Sequence, residues 1–113
     1  MSQYVIFFNQ QWVGDHSAEW FGSRGPLARA VVDDIKAAGA FVAAGGLEED
    51  DAQAAHADAT SGALVVGEGP YAPDEQRVGG LTIIDVEDDA TARVWAGRIA
   101  EACGWPQEVR RLW

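Results

Sequence analysis

Cysteine occurs once in this 113-residue chain, at Cys103, lysine once, at Lys36, and histidine twice, at His16 and His56. A lone cysteine excludes an intrachain disulfide, and with two histidines it leaves too few ligands for a Cys/His zinc cluster of ordinary spacing. No metal or cofactor is therefore expected. Glycine is plentiful, yet no G-x-G-x-x-G or Walker pattern appears, so the usual nucleotide loops are absent. Positive charge is scarce: eight Lys and Arg stand against 18 Asp and Glu, a net charge of −10. Such a field repels phosphate backbones and anionic bilayers, so neither nucleic acid nor membrane is an expected partner. No apolar run approaches spanning length, and Met1-Ser2-Gln3-Tyr4 enters a strand-like segment without a basic n-region or cleavage site. A cytoplasmic protein is expected.

What the chain does have is apolar mass, 48% hydrophobic residues with five tryptophans, enough for one core at the commonest domain size. Residues 1–113 are read as a single domain. Tyr4-Val5-Ile6-Phe7-Phe8 has the β-branched and aromatic make-up of a strand covered on both faces. From Asn9 to Gly25 the chain reads as a long loop with a short helical turn, carrying Trp12, Trp20 and Phe21. Pro26 then suits the first helical position, and Leu27, Val31, Ile35 and Ala38 recur at near-helical spacing up to Gly39. Phe41–Leu47 reads as a strand. Two weaker strands, Ala54–Asp58 and Ala63–Val66, are joined by Thr60-Ser61-Gly62 as a hairpin. Gly80–Val86 is the clearest strand in the chain. Asp88 or Asp89 caps a second helix with Val94, Trp95, Ile99 and Ala102 as its buried stripe; Gly104 ends it, and Glu108–Trp113 forms a last strand.

Strand, helix, strand, hairpin, strand, helix, strand is the split βαβ order, which predicts an α+β, ferredoxin-like antiparallel sheet with two helices on one face. The other face would then lie bare, an apolar patch of a size that monomers avoid. Pairing two such faces about a two-fold axis makes a homodimer with a shared interior the expected assembly.

Glu68-Gly69-Pro70-Tyr71-Ala72, followed by Gly79-Gly80-Leu81-Thr82-Ile83-Ile84-Asp85-Val86, resembles the signature of the YCII-related proteins, in the branch named for an Asp-Gly-Pro-Phe motif. Asp88-Asp89, Trp95 and Glu108-Val109-Arg110 fall where that branch carries an acidic cap, a helical tryptophan and a terminal Glu-Val-Arg strand. The resemblance implies a dimeric α/β barrel. It implies little about activity, because related barrels include lactone isomerases, dehalogenating enzymes and cofactor-free oxygenases. There are departures: Glu68 and Tyr71 replace Asp and Phe, Pro73-Asp74-Glu75-Gln76 replaces Glu-Thr-Lys-Glu, and Ala28 stands where many relatives have a helix histidine.

Two catalytic candidates follow. His16, beside Asp15 in the aromatic loop, is either a general base near its working pKa or a solvated loop histidine. Glu68, at the mouth of the Gly-Pro turn, is either an acid or base inside the barrel or a carboxylate that caps the turn. Trp12, Trp20 and Tyr71 are the ligand-pocket candidates, with Tyr71 also able to serve as plain wall. His56 with Asp58, and the run Glu48-Glu49-Asp50-Asp51, lack the spacing of a metal site. Cys103 is expected to be a buried, inert thiol. The functional expectation is a small cofactor-independent enzyme acting on a hydrophobic or lactone-like metabolite; the alternative is a non-catalytic module that binds a small molecule or a partner.

Overall fold

The computed structural model describes residues 1–113 and is only 17 Å thick, the depth of one sheet and one layer of helices. Its elements are β1 (Ser2–Asn9), a 3-10 turn (Gln10–Trp12), α1 (Ala18–Ala37), β2 (Phe41–Gly46), β3 (Ala55–Asp58), β4 (Val65–Glu68), β5 (Val78–Val86), α2 (Asp89–Cys103) and β6 (Glu108–Leu112). The main sheet runs β2-β5-β1-β6, and every pairing in it is antiparallel. That is the ferredoxin-like arrangement expected from the order of elements, with β3 and β4 forming a separate two-stranded arm.

Period-two alternation decides the faces. Tyr4 and Ile6 of β1, paired with Ile84 and Thr82 of β5, are buried beneath the helices. They meet Val31 and Ile35 of α1 and Ala92, Ala96, Ile99 and Ala102 of α2 in one core. Ile6, Ile35 and Ile84 have no exposed surface at all, and burying each such side chain contributes roughly 1.5–3 kcal/mol. The small alanines of α2 let that helix lie close on the sheet. Asp88 caps α2, its carboxylate accepting the Thr91 N–H at 2.8 Å, and Gly104 closes it at φ 89°. Asp34 of α1 is salt-bridged to Arg98 of α2, tying the helices together at their outer edge.

The reverse face presents Val5 and Phe7 opposite Ile83 and Leu81, all half-buried, with the Trp12 ring stacked on Phe7. No helix covers it. The β3–β4 arm leaves Leu64, Val65, Val66 and Tyr71 exposed.

Three details differ from the sequence expectation. Helix α1 begins at Ala18, eight residues before Pro26, which lies inside the helix and not at its first position. Ser17 is the cap, its hydroxyl accepting the Trp20 N–H at 3.1 Å, and the aromatic side chains of the first turns pack where a loop was expected. Leu27 and Val94, placed in buried stripes by spacing, are both exposed. The arm's strands pair Ala55 with Glu68 and Asp58 with Val65, so their connection is longer than a tight three-residue turn.

A donor-lined cavity beneath the first helix

Four-residue steps put Arg24, Ala28, Val32 and Lys36 on one side of α1, next to the stripe that carries Val31 and Ile35 into the core. That side does not reach the sheet. Between it and β2 and β5 lies a cavity of about 590 Å³, walled by Phe8, Phe21, Phe41 and Trp105 and closed at one end by Ile99 and Cys103. Ligand cavities commonly measure about 300–1,000 Å³.

The glycines of the strands shape this space. A Cβ on Gly79 or Gly80 would fall 2.5 or 2.8 Å from the Phe8 ring, so the pair seats that ring against β5. Phe8 then meets Trp105 edge-on at 5.1 Å. Gly45 and Gly46 of β2, paired with Leu81 and Gly80, line the neighbouring stretch of sheet with bare backbone. Gly104 serves twice: its positive φ ends α2, and the missing Cβ, which would lie 2.7 Å from Trp20, lets that indole lie across the helix end.

Charge in the wall is unlike that of the whole molecule. Arg24, Arg29 and Lys36 line the cavity against one carboxylate, Asp33. The ion pairs of the chain are Asp51 with Arg77, Asp34 with Arg98 and Glu108 with Arg110, so none of the three cavity cations has a carboxylate partner. Arg24 lies over the Trp20 ring and Lys36 over the Phe41 ring, at 4.9 and 4.8 Å from the ring centres. The buried side-chain polar atoms without a hydrogen-bond partner are Arg24 Nε, Trp105 Nε1, Gln107 Nε2 and Asp85 Oδ1. The first three belong to residues that line this cavity, and all three are donors. Each such buried orphan costs about 1–3 kcal/mol. Burial pushes the Cys103 thiol above its ordinary pKa despite Arg24 nearby, so the sulfur facing the cavity is a neutral thiol.

The residues singled out from sequence are not gathered here. His16 is exposed at the head of α1, with its Nε2 donating to the Val13 carbonyl at 3.0 Å and its ring stacked on Trp20 at 3.6 Å. Trp20 is outside the wall but touches two wall residues, Trp105 and Arg24. Trp12 lies on the reverse sheet face. Glu68 and Tyr71 sit exposed on the arm, where Tyr71 meets His56 edge-on and His56 Nδ1 donates to the Gly69 carbonyl at 3.0 Å. Ala28, where the sequence resemblance places a histidine in many relatives, is in the cavity wall. Arg24, Trp105 and Gln107 had no motif to mark them. The available signal was the basic residues at 24, 29 and 36 interleaved with Gly25, Ala28 and Val32.

No curated protein matches this sequence. The family model of the YCII-related domain matches residues 25–104, from the middle of α1 through the arm and β5 to the glycine that ends α2. That span includes most of the cavity wall and both glycine pairs, and it exceeds half of the chain: the protein belongs to the YCII-related family.

Proposed function

We propose that this chain is a homodimeric small-molecule-binding module in which each protomer holds a flat apolar or aromatic metabolite in the cavity beneath α1. One observation carries the reading: a cavity of about 590 Å³ with aromatic walls, lined on β2 by the bare backbone of Gly45 and Gly46. Binding is favoured over acid–base turnover because the wall contains no histidine, Ala28 occupies the helix position in question, and Cys103 is held as the thiol. The exposed positions of Glu68 and His16 leave neither at the cavity of its own protomer. An acid–base role for Glu68 needs the arm of a second protomer to carry it to a cavity. Dimerisation is supported by the uncovered face formed by Val5, Phe7, Leu81 and Ile83.

The test is to fill the cavity. Ala28→Trp places an indole in the space a ligand would occupy. Ligand-observed NMR with a panel of small aromatic compounds should find binders to the native protein, and the same compounds should lose binding to a folded Ala28→Trp variant. Unchanged binding to that variant would place the site elsewhere.

A further inference from the structure

We infer that the ligand of this cavity is an organic anion, an aromatic or apolar body bearing a carboxylate or similar oxyanion, held at the Arg24–Trp105–Gln107 end; this rests on the cavity being the binding site. Two independent features of the wall point the same way. First, a chain of net charge −10 places three of its eight basic residues around one cavity and leaves all three without a carboxylate partner. A basic lining in an acidic protein favours an anionic occupant over the protein's own surface, and Asp33 offsets only part of it.

Second, the buried polar atoms lacking partners on these walls are all donors: a guanidinium Nε, an indole Nε1 and a carboxamide Nε2. Buried donors are ordinarily satisfied. These N–H groups are closed off in the present side-chain arrangement, and the binding we infer includes a rotation of the Arg24 and Gln107 side chains, both in the wall, that turns them toward a ligand oxygen. A carboxylate offers two oxygens and about four lone-pair directions, enough to accept from several such donors, where the wall's own carboxylate is Asp33. The geometry also orients the occupant. Trp20 lies against the Arg24 guanidinium, while Phe8, Phe41 and Ile99 form apolar wall.

Cinnamate and cinnamyl alcohol share one skeleton and differ in the charged group, so isothermal titration of the full-length protein with each isolates the oxyanion. Cinnamate should bind at least about tenfold more tightly, with an affinity that falls as NaCl is raised. Arg24→Gln should remove most of that preference, and Arg29→Gln, at an exposed position, should lower it by a smaller factor without affecting the fold. Equal binding of the two compounds, both lost in Ala28→Trp, would overturn the anion inference and leave the cavity reading standing. Failure of both compounds to bind at millimolar concentration, or retention of both by Ala28→Trp, would overturn the cavity reading itself.

Discussion

Cys103 shows how one residue reports on the cavity. Its sulfur lines the space, and burial holds the thiol neutral by disfavouring the thiolate. Alkylation by N-ethylmaleimide should therefore be much slower in the native protein than in urea at the same pH, and a bound ligand should slow it further. Mass spectrometry of timed samples gives both rates. A native rate equal to the unfolded one would mean that the thiol is not shielded as described. The sequence predicts a buried, inert thiol at Cys103 because it follows Ile99 and Ala102 on an apolar helix stripe; the residue is half-buried, with its thiol pKa raised. Its place in a cavity wall was not legible, since the facing residues come from α1, with β2, β3, β4 and β5 between them in sequence.

At the scale of the element, α1 is the informative case. Its first half contains Gly22, Gly25 and Pro26, and Pro26 offers no N–H to the Gly22 carbonyl. Intrinsic propensity alone would not hold these turns. They are fixed by the Ser17 cap and by packing of His16, Phe21 and Trp105 around Trp20. Trp105→Ala should accordingly increase amide hydrogen exchange over residues 18–25 while leaving residues 31–37, which carry Val31 and Ile35 into the core, protected. Uniform loss of protection along the helix would contradict this division. Gly104→Ala is a sharper perturbation of the same corner, combining a positive φ with a Cβ 2.7 Å from Trp20; a loss of more than about 1 kcal/mol is expected in urea denaturation. Gly22 and Gly25 have poor helix propensity and Pro26 suits a first helical position, so the sequence predicts a start eight residues late of the one that Ser17 caps. The strands were easier. Tyr4–Phe8 and Gly80–Val86 have apolar runs that no other element explains, and both became the central pair of the sheet.

For the whole molecule, the sheet is covered on one side only. Val5, Phe7, Leu81 and Ile83 form the uncovered apolar strip, with the Trp12 ring stacked on Phe7. If two such strips pack together, sedimentation velocity at micromolar concentration should give a dimer of the 12.1 kDa chain, and Ile83→Glu should shift it to monomer because a charge buried in that contact lacks a partner. A native protein that runs as a monomer would end the dimer proposal without touching the cavity, which is complete within one protomer. The ferredoxin-like order was legible because each element has a local pattern. The cavity was not, because it depends on two glycine pairs, Phe8 and the late residues Trp105 and Gln107 meeting one face of α1, a juxtaposition that only the fold creates.

The claim at the centre of this account is that the space beneath α1 is a ligand site, and backbone and indole chemical-shift mapping during titration with cinnamate addresses it directly. Shifts concentrated at Phe8, Ala28, Thr82 and the Trp105 Nε1–H are predicted, with those of Val5, Ile83 and the arm unmoved. Shifts confined to the reverse sheet face or to the Glu68-Gly69-Pro70-Tyr71 turn would contradict it.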